Sequence, residues 1–252
     1  LVDRFPGRVI ETPIAEDSIA GISIGMALNG VYPINTHIRA DFALLAINQI
    51  VNLAAKYKYM FGGLFEVPMM VRVVVGRSWG QGAQHSQSLQ ALFAHIPGLV
   101  VLSPATPEAI TESYRYAIHE HRGPVIMFEH RLLYEAEFVT TESSLSHPLF
   151  GSGIDRVGQD VTLVTGSIML IEARRAADYL KTLGVSVEII DLHSYSHFDT
   201  AMLLDSVKKT RKLLVADASW QKFGVGAEVA RAVAAECFGV LEHPITSLGM
   251  AD

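Results

Sequence analysis

The sequence predicts an α/β protein made of two three-layer α/β domains. Short apolar runs rich in β-branched residues alternate with longer helix-like stretches, the rhythm of parallel sheets. That rhythm stops once, in a polar, turn-rich stretch at 137–160, and then resumes. Half of the 252 residues are hydrophobic, enough to fill a sizeable core in each half.

In the first half, strands are expected at 31–37, 67–75, 99–103 and 124–129, each an apolar run of strand length. Helices are expected at 18–28, 42–57 and 107–119, the first from the pattern of Ile19, Ile22 and Ala27. Ser143, Ser144, Pro148, Gly151 and Gly153 mark 137–160 as a linker. Beyond it a strand is expected at 161–165, a helix at 168–180 and a strand at 185–191. A helix at 201–209, a strand at 212–217 and a helix at 226–236 follow. The domains are therefore read as 1–136 and 161–252, with no short-period repeat.

The net charge of -6 and the lack of any basic run argue against a nucleic-acid surface. Cys237 is the only cysteine, which excludes an intrachain disulfide or a multi-cysteine zinc site and fits a reducing compartment. No apolar stretch reaches the ~18 residues of a membrane span, so no membrane partner is expected. The chain begins at Leu1 with no Met and no leader-like segment, so further N-terminal sequence is expected before it.

Two places can carry chemistry. Glu16 stands where the first helical pattern begins. It reads either as a first-turn acid favoured by the helix dipole or as a carboxylate facing a ligand, and local sequence does not choose. His85 follows a glycine-containing loop, Gly80-Gln-Gly-Ala-Gln, where an imidazole can be a cap, a packed ring or a proton carrier. His95, before Pro97-Gly98, is read as a structural residue on a buried helix end. Gly224-Val-Gly226 lacks the rest of a dinucleotide fingerprint and is read as helix packing. His119 and His121 point to different faces, and no His-x-x-x-His pair flanked by a helical glutamate occurs, so no metal ligands are assigned. Ser86 and Ser167 lack a nucleophile-elbow context.

Arg8-Val-Ile-Glu-Thr-Pro-Ile-Ala-Glu16, Asn48-Gln-Ile-Val-Asn, Ala54-Ala-Lys-Tyr, His85-Ser-Gln-Ser and Ala94-His-Ile-Pro-Gly-Leu-Val-Val-Leu-Ser-Pro104 occur in order. Together they resemble the pyrimidine-binding domain of beta subunits of thiamine-diphosphate-dependent 2-oxo acid dehydrogenases, of the pyruvate and branched-chain type in the transketolase-like superfamily. Asp160-Val-Thr-Leu-Val, Val187-Glu-Ile-Ile-Asp-Leu192 and Phe223-Gly-Val-Gly-Ala-Glu228 resemble the same family's C-terminal domain. The resemblance implies that Glu16 hydrogen-bonds the cofactor's aminopyrimidine and that Phe42 packs on that ring. It also implies that Ile14 and Ile38 form apolar walls and that His85 serves decarboxylation and acyl transfer. The implied reaction is oxidative decarboxylation of a small 2-oxo acid with acyl transfer to lipoamide. The implied partners are an alpha-type subunit, in a heterotetramer, and a lipoyl acyltransferase core. Magnesium is implied to be held mainly by the alpha chain, through a Gly-Asp-Gly motif that this chain lacks. A structural potassium ion is implied near 118–123, with no residues assigned. The implied location is the bacterial cytoplasm or, in a eukaryote, the mitochondrial matrix.

The chain departs from the family pattern in places. Ala15-Glu16-Asp17-Ser18-Ile19 replaces Ser-Glu-Met-Gly-Phe, and the stretch 36–41 carries Arg39 and Asp41 where the family is more apolar. Both charges are expected near the pocket, with an effect on substrate choice. His193 replaces a usual arginine, which bears on docking and on the standard substrate. About 50 residues of family sequence are expected ahead of Leu1, and a C-terminal tail after Asp252. Two other functions compete: a two-chain decarboxylase or acyloin-forming transferase without a lipoyl step, and a non-catalytic subunit of the same fold. Retention of Glu16, Phe42 and His85 together speaks against the last.

Overall fold

The computed structural model describes residues 1–76, 81–137 and 152–250. Gly80, Ser143, Ser144, Pro148 and Gly151, named above, lie outside them.

The first domain holds a parallel sheet in the order β1-β2-β4-β3, from β1 (Ile34–His37), β2 (Met69–Val75), β3 (Val100–Leu102) and β4 (Pro124–His130). β2 and β4 form its centre and are mostly apolar, as strands covered on both faces tend to be, with Arg72 of β2 paired to Glu129 of β4. Helix α1 (Glu16–Leu28) buries Ala20, Ser23, Ile24 and Ala27, a stripe at helical spacing. Ile22 is exposed, so the inward face is not the Ile19/Ile22 face expected from the sequence.

The expected helix at 42–57 is three short pieces: a 3-10 turn at Ala40–Ala46, a π turn at Asn48–Ala54, and α2 (Tyr57–Met60). Residues three apart eclipse in a 3-10 helix. Ala40, Ala43 and Ala46 fall on that row and are fully buried, where larger residues would not fit. The short α3 (Gln90–Ala94) and then α4 (Pro107–His119) follow. α4 starts where its chemistry says it should, with Thr106 Oγ1 accepting from Ala109 N at 3.2 Å and proline at the first position.

The second domain holds a mixed sheet in the order β5-β7-β6-β8-β9. Its strands are β5 (Gly153–Arg156), β6 (Val161–Thr165), β7 (Val187–Asp191), β8 (Leu213–Trp220) and β9 (Thr246–Met250), with α5 (Met169–Thr182), α6 (Thr200–Thr210) and α7 (Val225–Cys237). The stretch expected to be linker therefore contains a strand, β5, which pairs antiparallel with β7. Its polar sequence is tolerated because it lies at the sheet edge. β9, the opposite edge, was likewise not expected.

The domains are stitched through the end of β3. Ser103 N donates to His193 O and Tyr195 N to Val101 O, both at 2.9 Å, and Val101 N donates to Ser196 Oγ. His193 is buried and its Nε2 lies 3.0 Å from Ser113 Oγ on α4. It thus sits at the boundary between the two domains.

Asp191, at the end of β7, is completely buried. Its Oδ1 accepts from His193 N at 3.3 Å, while Oδ2 has no hydrogen-bond partner among the described residues. Burial pushes the carboxyl up from 3.8 to about 7. Between those two values the folded chain keeps a proton that the unfolded chain releases, so stability falls as pH rises through that window and levels off above it. Asp191→Asn mimics the protonated acid. It is expected to gain about 1–3 kcal/mol over the parent at pH ~8 and little at pH ~4. Urea unfolding at the two pH values checks this; an equal effect at both would show that the proton linkage lies elsewhere.

Candidate active site

In parallel sheets, ligand sites gather at the carboxyl ends of the strands. Here β1 ends at His37 and its neighbour β2 at Val75. The chain leaving β1 runs through Ile38 and Arg39 into the 3-10 turn that carries Phe42. After β2 the chain comes back to the same end of the sheet as the segment 81–88, with His85 closing a single 3-10 turn. Glu16 is the first residue of α1, so its carboxylate sits at the positive end of that helix.

These segments enclose one cleft of about 820 Å³. Glu16, His85, Ile14, Ile38 and Phe42, singled out in the sequence, all line it. The Phe42 and His85 rings meet edge to face, centroids 5.2 Å apart at 85°. Glu16 is half-buried and its carboxylate makes no hydrogen bond to another side chain among the described residues. Asp17 next to it differs, accepting from Gln49 Nε2 at 3.1 Å. The cleft is open: Ile14 is 95% exposed and Ile38 73%. This chain alone therefore does not make a dry pocket around Glu16.

His37 and Gln81, which also line the cleft, had been assigned no role, while Arg39 had been expected near the pocket. His37 is 5% exposed, and its Nε2 is buried without a hydrogen-bond partner among the described residues. Burial lowers its pKa, against the opposing pull of the Glu16 charge. The signal available in the sequence was a polar residue at the carboxyl end of a parallel strand. Arg39 is buried and donates through Nε and Nη2 to Gln81 Oε1, and through Nη1 to Ile38 O. Gln81 carried no signal of its own.

Asp41, expected near the pocket, is buried just behind the cleft wall and accepts from Gln87. His95 is exposed at the C-terminal cap of α3, on a second cleft between the domains, and is not on a buried helix end. Among the described residues no group of three or more His, Cys, Asp or Glu is arranged to hold a metal ion, and no helix is long and apolar enough to cross a membrane.

The fold and cleft can be set beside known proteins. The pyrimidine-binding domain of transketolase matches residues 1–137, and the C-terminal domain of transketolase matches 152–252. The beta-2 subunit of the pyruvate dehydrogenase E1 component of Oryza sativa subsp. japonica, a mitochondrial protein, is 38% identical over all of this chain and 68% of its own length. The beta subunit of the acetoin:2,6-dichlorophenolindophenol oxidoreductase of Cupriavidus necator is 38% identical over 97% of this chain and 72% of its own. A solved split-gene transketolase, an inactive beta4 tetramer, superposes with a TM-score of 0.80 at 25% identity, over 99% of this chain and 77% of that one. With both domain models matched in order along nearly its whole length, this chain belongs to the transketolase-like family of beta subunits of thiamine-diphosphate-dependent 2-oxo acid dehydrogenases.

Proposed function

We propose that the cleft holds the aminopyrimidine end of thiamine diphosphate, and that an alpha-type chain completes the site and holds the diphosphate with its magnesium. The observation that carries this reading is the convergence of a carboxylate, an aromatic ring, two exposed apolar side chains and an imidazole on one cleft. That donor set fits a flat, nitrogen-bearing ring: Phe42 offers a face, Ile14 and Ile38 offer apolar walls, and Glu16 offers a hydrogen-bond acceptor. Bound thiamine diphosphate supplies the nucleophilic carbon and the electron sink for decarboxylation. Glu16 would hold a proton at its carboxylate for the ring, and His85 would supply an imidazole able to carry a proton in the same cleft. The high exposure of Ile14 and Ile38 is accounted for by a covering alpha chain, whose arrival would dry the cleft and strengthen each of these contacts.

The expected reaction is oxidative decarboxylation of a small 2-oxo acid with acyl transfer to lipoamide on an acyltransferase core. A second reading is cleavage or formation of an acyloin without the lipoyl step. It is favoured by the similarity to an acetoin oxidoreductase subunit and by the polar side chains at 36–41. The test is to purify the chain together with an alpha-type partner and titrate thiamine diphosphate and magnesium. The assembled pair is then assayed against pyruvate, branched-chain 2-oxo acids and acetoin, with and without a lipoyl domain. Lipoyl-dependent turnover of a 2-oxo acid is the expected result. Turnover of acetoin alone would favour the second reading, and a well-assembled pair that binds no cofactor would overturn both.

A further inference from the structure

We infer that Asp41 and Arg39 are positioning residues that hold the His85 loop against the cleft, so that the imidazole's place is built into this chain. The inference rests on the functional reading above and deepens it by assigning a task to the two charges that set the stretch 36–41 apart.

Both side chains are buried, at 8% exposure for Asp41 and 6% for Arg39. A buried charge is costly unless hydrogen bonds satisfy it. Here some of the satisfying groups come from the two flanks of His85, beside the Ile38 carbonyl that Arg39 also reaches. On the early flank, Gln81 Oε1 accepts from Arg39 Nε at 2.6 Å and from Nη2 as well. On the late flank, Asp41 Oδ1 accepts from the Gln87 side-chain amide at 2.8 Å and, more weakly, from Gln87 N at 3.4 Å. Charge-assisted bonds of this kind are roughly twice as strong as neutral ones. Between the two anchors the chain turns through Gly82, at φ 75°, and the single 3-10 turn Ala83–His85. Phe42 follows Asp41 in the same 3-10 turn and meets the His85 ring edge-on. One turn thus supplies the loop's anchor and the surface its imidazole rests on. Asp41 itself does not line the cleft, so it acts through the loop and not on a ligand.

The test uses the assembled alpha–beta pair, with Asp41→Ala and Asp41→Asn made both in the wild type and in a His85→Ala background. Misplacing a reacting group by about 1 Å can cost ~100-fold in rate. Asp41→Ala is therefore expected to slow turnover at least ~10-fold in the wild type and to cause no further loss when His85 is already gone. Asp41→Asn, which keeps a carbonyl oxygen for Gln87, is expected to stay within ~3-fold of wild type. Independently of activity, amide hydrogen exchange across 81–88 in the cofactor-free pair should rise ~10-fold in Asp41→Ala and remain unchanged elsewhere. Should Asp41→Ala fail to assemble, Gln87→Ala cuts the same contact from the loop side and decides in the same way. Equal losses on both backgrounds, or unchanged exchange in the loop, would overturn the inference. If the wild-type pair shows no cofactor-dependent turnover, the functional reading fails while the exchange measurement still decides whether Asp41 holds the loop.

Discussion

Replacing Glu16 with glutamine is expected to lower cofactor-dependent turnover of the assembled pair by ~100-fold or more while leaving its assembly intact. The argument starts from the local structure. Glu16 is the first residue of α1, half-buried, and its carboxylate makes no hydrogen bond to another side chain among the described residues. Glutamine therefore breaks no side-chain hydrogen bond among the described residues, removes the charge that acts on His37, and leaves the first-turn acid Asp17 with its own partner Gln49. What glutamine loses is the charge that can hold a proton against a ring nitrogen. General acid–base assistance of this kind contributes roughly 100- to 10,000-fold. The check is steady-state turnover of the purified pair alongside a cofactor titration and a sizing measurement. Turnover within a few-fold of wild type would mean that the carboxylate is a first-turn acid and nothing more.

Phe93→Ala is expected to cost about 3–5 kcal/mol of stability, lowering Tm by roughly 6–20 °C. Phe93 lies on α3 and is completely buried, its ring 5.9 Å from that of Phe128 on β4. Helix α3 has five residues, far below the ~12–15 at which an isolated helix becomes marginal, so tertiary anchors hold it in place. Phe93 is the largest of those anchors, and truncating it leaves a cavity beneath the segment that follows the His85 loop. Thermal and urea unfolding of the pair would measure the loss. A loss below ~1 kcal/mol would mean that the neighbours collapse into the space.

The elements that were legible in the sequence are those whose signals are local. α4 was found at its true ends because Thr106 and Pro107 announce its start and a helical stripe fills it. β2 and β4 were found because central parallel strands are mostly apolar runs of strand length. The edge strands β5 and β9 escaped because an edge is defined by its neighbour and not by its own hydrophobicity. At 40–54 the apolar pattern fits an α-helix as well as the 3-10 and π turns that form there. The choice between them depends on how closely the alanine row packs on the sheet.

The site divides along the same line. Local sequence marked Glu16 and His85 without assigning either a role, and the resemblance carried by the ordered motifs added Ile14, Ile38, Phe42 and a class of chemistry. That information is carried by short stretches of chain and needs no knowledge of what folds against what. That these residues share a cleft is decided by the fold, in which the His85 segment meets the turn after β1 through pairs 42 and 46 positions apart, Arg39 with Gln81 and Asp41 with Gln87. The same holds for His193, whose exchange for a usual arginine looked like a change in docking or substrate. Its partner, Ser113, stands 80 positions earlier on a helix of the other domain. Such pairings leave no trace in periodicity or spacing, because they exist only once the folded sheets bring distant strand ends together.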